Sequence, residues 1–294
     1  MKSKSLLFAC LLLISGSVCS QEERNSGVLF NGISYGVGPY SVSSGFSSLA
    51  TFKSLAPKSE FLNVDLTDFD NSNSFYDSQT NTMIGGAAHF KVIGKEKPNR
   101  LFSQSFRIGI SFTDQSTFYN SYSRSETFTV DTLTSNTTGI QYPIDSTATE
   151  RLSMDYYQTQ LYIDAAYLFQ TGEINRFSLY GGLGAMVGFT IDAYTSVRLS
   201  EDFTYSANSP RQFSDPDIAF DFKEENYKNK GGIAFITYIP VGLDFRIGNK
   251  GTFWKNSHLG AEVRPSIYIN QIPELETEVT TAMIGMFIYR YQFR

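Results

Sequence analysis

The chain has 294 residues, of which 15% are aromatic and 18% charged, and its formal net charge is -5. Beyond residues 1–20 it contains no apolar run of the roughly 18 residues that a membrane-spanning helix needs, which excludes a helical membrane protein. The acidic balance also argues against nucleic acid as a partner, because phosphate backbones are bound by basic surfaces.

Residues 1–20 have the pattern of a cleaved secretory signal peptide. Two lysines precede a short apolar run, and small residues follow as far as Ser20. A lipoprotein signal at Cys19 is the alternative, but Gly16 stands where such signals usually have an aliphatic residue. Cleavage would remove both cysteines, so the predicted single mature domain, 21–294, cannot form a disulfide.

Eight segments of the mature domain alternate apolar and polar residues with the period of two that a β-strand produces. The clearest is 176–193, in which an apolar face runs from Phe177 to Ala193 and the opposite, polar face ends at Asp192. In chain order we predict strands at 28–40, 82–93, 101–113, 157–169, 176–193, 233–247, 258–270 and 278–294.

The connections between these segments alternate in length. Three are long and polar, at 41–79, 122–150 and 198–229, and short turns lie between them. Long outer loops and short inner turns produce this order in membrane β-barrels. A soluble β-sandwich, the alternative fold, also buries one face of each strand, but nothing in that fold requires the alternation.

Aromatic residues on the apolar face occur at two levels. Phe102 and Phe177 stand near short turns, whereas Phe112 and Phe189 lie ten to twelve residues further along the same strands. Ten residues of a strand tilted by roughly 45° rise about 23 Å, close to the ~25 Å apolar band between the aromatic girdles of a membrane barrel. The remaining members of the two levels are Phe90, Phe169, Phe245 and Phe293, and Tyr157 and Phe235.

The polar face carries charges that a dry sandwich core could not bury cheaply, whereas a barrel interior can hold them as paired groups. Asp244 and Arg246 lie on one predicted strand and Glu262 and Arg264 on the adjacent one, so these charges could interleave. The predicted fold is an all-β, up-and-down antiparallel transmembrane barrel of about eight strands, with ten as the alternative. A polar network should plug its interior, formed by Arg107, Asp164, Asp244, Arg246, Glu262, Arg264 and Arg290.

The last segment carries Phe287, Tyr289, Tyr291 and Phe293 on one side. It resembles the closing strand of bacterial outer-membrane β-barrels, in which a terminal aromatic residue is the signal read by the barrel-assembly machinery. Arg294 departs from that pattern. The chain is therefore similar to small outer-membrane β-barrel proteins of Gram-negative bacteria, most like the outer membrane protein beta-barrel domain proteins of Bacteroidetes.

This resemblance implies the bacterial outer membrane as location. It also implies outer-membrane lipid, lipopolysaccharide and the barrel-assembly machinery as partners. The loops at 41–79, 122–150 and 198–229 are expected to face the outside and to bind an extracellular ligand or partner protein. They are rich in Ser, Thr, Asn, Asp and Tyr, which suits adaptable polar contacts better than a packed core, and some of their flanks still alternate as projecting hairpins would.

Catalytic and metal chemistry find little support in the sequence. The two histidines, His89 and His258, map to the inner half of the predicted barrel, away from the outer rim where the outer-membrane enzymes carry theirs. The acidic stretch 65–73 has the wrong spacing for an EF-hand and is interpreted as a solvated loop. We therefore predict no enzyme activity, no cofactor and no metal site.

Two classes of function remain open at this point. The first is a structural or surface-interaction barrel that works through its outer loops, and the second is a narrow transport channel or an accessory barrel of a secretion or uptake system. The assigned facing predicts that Leu183→Arg disrupts assembly, while Gly184→Ser at the inward neighbour should be tolerated better. Protease added to intact cells should cut the three long connections and spare the turn at Trp254.

Overall fold

The computed structural model describes residues 27–43, 48–71, 78–93, 102–171, 176–207, 213–215 and 220–293. The predicted signal peptide and Arg294 lie outside these residues. Two helices, α1 (Leu49–Leu55) and α2 (Thr252–Asn256), and a 3-10 turn (Phe61–Asn63) accompany one antiparallel sheet. Its strands are β1 (Gly27–Ser43), β2 (Asp70–Asn71), β3 (Ser78–Ile93), β4 (Phe102–Thr134), β5 (Gln141–Thr171), β6 (Phe177–Ala207), β7 (Phe213–Asp215), β8 (Phe220–Lys228), β9 (Ile233–Tyr238), β10 (Val241–Arg246), β11 (Ser257–Gln271) and β12 (Glu278–Gln292).

The sheet closes on itself because β12, the last strand, pairs with β1, the first. Strands β9 and β10 occupy one position in the ring, since both pair with β6 on one side and β11 on the other. Pro240, which has no N–H to donate, separates them. The ring therefore runs β1, β3, β4, β5, β6, β9 with β10, β11 and β12, which confirms the predicted antiparallel barrel of about eight strands.

The outer face of the barrel is apolar along every strand that forms the ring. Phe177 and Leu183 are each 69% exposed and Phe287 is 70% exposed, although a soluble protein would bury such side chains. Rings meet around the inner end, where the centroids of Phe177 and Phe245 lie 4.7 Å apart. No helix among the described residues is long and apolar enough to cross a bilayer. A closed barrel with this outer face is a transmembrane β-barrel.

The facing prediction is wrong at the outer part of β6. Thr159 of β5 pairs with Asp192 but Gln160 pairs with Thr190, so Ile191 is an extra residue that bulges from the ladder. The bulge reverses the alternation beyond it. Ala193 is therefore buried, and Asp192 points outward with one oxygen 3.6 Å from the Lys228 amine.

Strands β4, β5 and β6 continue far beyond the outer aromatic level. The β4–β5 ladder reaches Thr134 opposite Gln141, and the β5–β6 ladder reaches Ile144 opposite Ala207. Strand β8 pairs with the same part of β6. Much of 122–150 and 198–229 is thus strand, as the alternating flanks indicated. The projecting sheet, called the outer extension below, consists of 119–134, 141–156, 194–207 and β8.

Inside the barrel, the rings of Tyr162, Tyr180 and Tyr238 occupy space left free by glycines on neighbouring strands. A Cβ at Gly184 would lie 2.2 Å from Cζ of Tyr238, and one at Gly242 would lie 2.3 Å from Cζ of Tyr180. Tyr238 is buried and hydrogen-bonded to Arg107, so a serine at position 184 would press against a held ring. That Gly184→Ser is tolerated better than Leu183→Arg stays a prediction.

We expect Leu183→Arg to reduce insertion into outer-membrane vesicles strongly, because a cation at the bilayer midplane of a barrel costs roughly 2–4 kcal/mol. Leu183 stands on the exposed face of β6, and its backbone pairs with that of Tyr167 on β5. The matched control is Leu183→Phe, which keeps the site apolar and should insert normally. Equal insertion of the two variants, measured by the electrophoretic mobility of folded and unfolded protein, would contradict the assigned facing.

Candidate functional site

The centre of the barrel interior holds a cluster of buried ion pairs. Arg107 on β4 donates two parallel hydrogen bonds to Glu262 on β11, with Nη1 2.8 Å from Oε2 and Nη2 3.1 Å from Oε1. Arg264, two residues further along β11, donates from Nε to the same carboxylate. All three side chains are at most 5% exposed. The fork-like guanidinium suits this arrangement, since it can satisfy both oxygens of one carboxylate.

A second carboxylate completes this central cluster. Asp164 on β5 has Oδ2 3.7 Å from Nε of Arg107 and 3.8 Å from Nη1 of Arg264. The Tyr238 hydroxyl donates to its other oxygen, and the guanidinium of Arg264 lies 5.2 Å from the centroid of the Tyr238 ring. Tyr238 is not among the site residues predicted from the sequence. Its inward position on β9 and the glycine beside it on β6 are the signals that could have revealed it.

A second cluster lies nearer the inner end of the barrel. Asp244 on β10 accepts a hydrogen bond from Arg290 on β12 at 2.7 Å, and its Oδ2 lies 2.7 Å from Nδ1 of His258 on β11. Arg290 also donates to Gln170 at 3.3 Å. Arg246, predicted to interleave with the charges of β11, is half-buried and joins no ion pair among the described residues.

Six of the seven residues predicted to form an interior network are thus divided between two clusters. Four of them form the central cluster around Glu262. Asp244 and Arg290 belong to the cluster nearer the inner end, and Arg246 belongs to neither cluster. Glu262 contacts Arg264 of its own strand and Arg107 from across the ring. The expected interleaving with Asp244 and Arg246 is not formed, because these two residues stand opposite Gly260 and His258 in the ladder. Whether these groups act as a plug remains a prediction.

Apolar and aromatic side chains surround the charged levels. Two cavities of about 20 Å³ adjoin Arg107, each with room for about one water molecule. Ser34, Ser111 and Asp164 line the first, and His89 and Arg290 line the second. The buried apolar cluster of the interior consists of Tyr40, Val42, Met83, Tyr162, Ala166, Leu168, Met186, Ala234, Ile236, Tyr238, Tyr268, Ala282, Ile284 and Met286.

The first outer connection folds into a cap. Helix α1 begins after Ser48, whose hydroxyl accepts a hydrogen bond from the backbone N–H of Thr51 at 3.2 Å. Phe52 and Leu55 lie on one face of the helix and are buried. They belong to an apolar cluster that also contains Ala56, Leu62, Leu152, Met154, Tyr156, Ala193, Val197 and Ile272.

Polar contacts fasten this cap to the segment around β8. Asn229 donates from Nδ2 to the carbonyl oxygen of Leu55 at 2.8 Å. Ser59 donates to Oε2 of Glu225 at 2.6 Å. Because the cap cluster contains side chains of β5, β6 and the β11–β12 connection (Ile272), the cap lies against strands from separate parts of the ring.

The prediction that the outer connections suit polar contacts better than a core is wrong for 48–71. This part supplies Phe52, Leu55 and Leu62 to a packed core. Leu49, Phe52 and Leu55 are spaced by three residues after a serine cap, which is the pattern of one helical face. At seven residues the helix is too short for that pattern to stand out in a sequence window.

Beyond the cap, the β4 strand of the β4–β5 hairpin is exposed on both faces from Ser125 to Thr134, whereas most of its β5 partner is half-buried. One face carries a ladder of hydroxyls, in which the Oγ atoms of Ser125 and Thr149 lie 3.0 Å apart and those of Thr127 and Thr147 lie 2.9 Å apart. The other face presents Phe128, which is 48% exposed, together with Glu126. The hairpin therefore offers a hydroxyl surface on one face and a mixed charged and apolar surface on the other.

Asp155 stands on the outer extension just beyond Tyr157 of the outer aromatic level. Burial raises the pKa of Asp155 to about 6; Arg198 opposes this shift and Glu224 adds to it. Because the folded pKa exceeds the unfolded value of roughly 4, ionised Asp155 opposes folding, and stability is regained as the pH falls from about 6 towards 4.

We therefore expect Asp155→Asn to stabilise the outer extension at pH 7.5 by on the order of 1 kcal/mol and to have little effect at pH 4. Hydrogen exchange of the β5 amides at the two pH values measures this. Glu126→Gln, an exposed change on the same sheet, is the control. Equal protection of the Asp155→Asn variant and the unmodified chain at pH 7.5 would contradict the assignment.

No protein-family model matches the chain, and no curated protein matches it. Among solved structures, Ail, the attachment invasion locus protein of Yersinia pestis, in complex with the heparin analogue sucrose octasulfate, matches at 14% identity and a TM-score of 0.24. That match covers 90% of this chain and 100% of the other. A structure of Ail itself matches at 14% identity and a TM-score of 0.23, over 90% and 99%.

Two features of the structure identify the fold: the pairing of β12 with β1 closes the barrel, and the outer face is apolar and exposed. Closed β-barrels of this type span the outer membranes of bacteria. The chain is accordingly a small outer-membrane β-barrel protein. Among the described residues there is no group of three or more potential metal ligands, and the described part of the acidic stretch 65–73 is an exposed loop ending in β2.

Proposed function

We propose that this protein acts at the bacterial surface by binding, through its cap and outer extension, and that its barrel neither conducts solutes nor catalyses a reaction. The observation that carries the proposal is the contrast between the two halves of the molecule. The barrel interior is filled with paired charges and apolar side chains, whereas the outer extension is an ordered sheet with exposed faces.

The packing of the interior supports a closed barrel. Moving Arg107 or Glu262 aside to open a path would leave its partners buried without compensation, at a cost of several kcal/mol. Two buried arginines, and a third whose side chain is 11% exposed, face three buried carboxylates, so the two clusters hold equal numbers of these charges. These groups are Arg107, Arg264 and Arg290, and Asp164, Asp244 and Glu262.

The outer extension supports the binding role. Barrel closure requires β4 to pair with β3 and β5, but β4 continues for many residues past its last pairing with β3, at Asp114. Exposed, rigid strands lose little conformational entropy on binding, which favours a recognition surface. Lipopolysaccharide and outer-membrane lipid would surround the apolar face. The Bacteroidetes relationship and the assembly signal at Phe287, Tyr289, Tyr291 and Phe293 remain parts of the proposal.

A narrow conduit, or an accessory barrel of a transport system, is the second candidate. The two small polar cavities beside Arg107 are the observation that favours it, because they could belong to an interrupted water path. An enzyme is disfavoured, since His89 and His258 both lie inside the barrel, away from the exposed outer sheet.

Single-channel recording in planar lipid bilayers tests the proposal. The purified full chain should produce no stable current steps, while a general porin inserted in the same bilayers verifies the assay. A variant in which Arg107, Glu262 and Arg264 are all replaced by alanine removes the central cluster and should show small steps if it folds. Regular steps from the unmodified chain would favour the conduit and count against the proposal.

A further inference from the structure

We infer that the open edge of β4 at residues 124–129 is a docking site for an extended strand of another protein, which would add to the outer extension by main-chain hydrogen bonds. The inference rests on the proposed function, since it names the part of the outer extension that binds and the chemistry of what it binds.

The edge is open because the neighbours of β4 end early. Strand β3 pairs with β4 as far as Thr82 opposite Asp114, and β2 pairs only with Tyr122 and Ser123. From Arg124 onwards, β5 is the only described strand that pairs with β4. Every second residue of a strand points its N–H and C=O groups away from a given neighbour, so this stretch presents unused hydrogen-bonding groups.

The same edge of β4 already pairs with another strand at the two residues that precede the open stretch. Asp70 and Asn71 of β2 form antiparallel pairs with Ser123 and Tyr122. The backbone of β4 therefore has the geometry that pairing needs at the point where the open stretch begins. A longer strand could continue along the edge that the two residues of β2 leave unused.

A bulge limits the open stretch at its outer end. The β4–β5 register shifts between Thr129 and Asp131, so Val130 is an extra residue that bends the strand. Just beyond it, the N–H of Thr132 is occupied by Oδ1 of Asp131 at 2.7 Å. The regular part of the edge is therefore 124–129, about 20 Å long.

Among the described strands β8 pairs only with β6, which gives the outer extension a second open edge, but that edge is protected. Strand β8 carries Asp221, Lys223, Glu224, Glu225 and Lys228. Charged side chains along an edge strand discourage further pairing, and natural sheets use them for that purpose.

The open stretch of β4 carries only two charges. That of Arg124 is engaged by Glu150 at 2.7 Å, and its guanidinium lies 5.0 Å from the centroid of the Phe69 ring. Glu126 is left as the exposed charge of the stretch.

The side chains that flank the edge predict which residue types the incoming strand should carry. Glu126 and Phe128 share one face, so the added strand should place a lysine or arginine and an apolar residue there. Ser125, Thr127 and Thr129 share the other face and match small or β-branched polar residues. The occupant is thus an extended segment that alternates basic and apolar residues with threonine-like ones.

A second copy of this chain fits the edge less well. Two copies in one membrane are related by rotation about the membrane normal, so their β4 strands would run in the same direction. Every strand pair in this sheet is antiparallel. The β8 strand of a neighbour would run in the opposite direction, but its charged edge opposes pairing.

The test uses a synthetic peptide that alternates threonine with lysine and valine, and the folded full chain in detergent micelles. Fluorescence anisotropy should show saturable binding. A peptide of the same sequence with alternate backbone nitrogens methylated cannot complete the ladder, and its affinity should be at least tenfold lower. Glu126→Lys should also weaken binding of the first peptide at least tenfold, whereas Lys223→Glu on the β8 edge should not.

Register is tested by disulfide trapping, which is clean because residues 21–294 contain no cysteine. Thr127→Cys should cross-link to the peptide when the peptide cysteine stands at one threonine position and not at the next. Equal binding of the methylated peptide, equal binding by Glu126→Lys, or peptide-independent self-association in sedimentation would each overturn the inference.

Failure of this inference can be told apart from failure of the proposed function. If the peptide does not bind but Thr127→Cys reacts with an impermeant maleimide on intact cells, the docking site is refuted while the surface role stands. If Thr127→Cys is unreactive on intact cells, both are refuted.

Discussion

Replacing Glu262 with leucine is expected to lower the free energy of unfolding by about 3–5 kcal/mol, one of the two largest effects that we predict for single substitutions. Glu262 is 1% exposed and is the carboxylate shared by Arg107 and Arg264. Without it the two guanidinium groups would remain buried with only Asp164 nearby, at 3.7 and 3.8 Å. The midpoint of urea unfolding in lipid vesicles, followed by electrophoretic mobility, measures the loss.

The control is a double variant, Glu262→Leu with Arg107→Met, which removes one of the stranded charges. It should be more stable than Glu262→Leu alone, since the penalty comes from the unpaired cation and not from the loss of the pair itself. If Glu262→Leu unfolds at the same urea concentration as the unmodified chain, the central cluster does not have the stabilising role assigned to it.

The second large effect is expected at the cap. Phe52 is 0% exposed, and Phe52→Ala should lower the stability of the cap by about 3–5 kcal/mol because it removes buried packing contacts. Because α1 has only seven residues, the loss should detach the cap while the barrel remains folded. Hydrogen exchange measures this at the amide of Ala56, which donates to the Phe52 carbonyl oxygen at 2.8 Å.

Lys53→Ala, on the exposed side of the same helix, is the control and should keep the amide of Ala56 protected. The barrel amides of β11 should exchange slowly in both variants. A Phe52→Ala variant that keeps cap protection, or one that loses barrel and cap protection together, would contradict the description of the cap as a separately packed unit.

The barrel could be predicted because the alternation of apolar and polar residues that marks each strand lies within one short stretch of sequence. Alternation in 258–270 marks a strand whose observed bounds are Ser257–Gln271, and the same holds for the closing strand. A period of two also gives the facing directly, so the exposed positions of Leu183 and Phe287 follow from the sequence alone. The facing cannot be inferred in this way beyond a bulge, as at Ile191, where one inserted residue reverses the two faces of the strand.

The partners of the interior charges could not be predicted, because they depend on contacts across the ring. Asp244 lies next to Arg246 in the same strand, yet it pairs with Arg290, which is brought to it by strand order and register. The cap was missed for a related reason. Its helix owes its stability to side chains of β5 and β6, such as Leu152 and Val197, which are distant in sequence.

Labelling of single cysteines on intact cells tests the central claim most directly. It is preferable to proteolysis, because the described parts of 122–150 and 198–229 are largely paired strands that a protease would cut slowly. Thr127→Cys on the outer extension should react with a membrane-impermeant maleimide, whereas Lys255→Cys in the turn beside Trp254 should react only after the outer membrane is breached. Labelling of Lys255→Cys on intact cells, with Thr127→Cys protected, would show the barrel inverted and would contradict a surface-binding role.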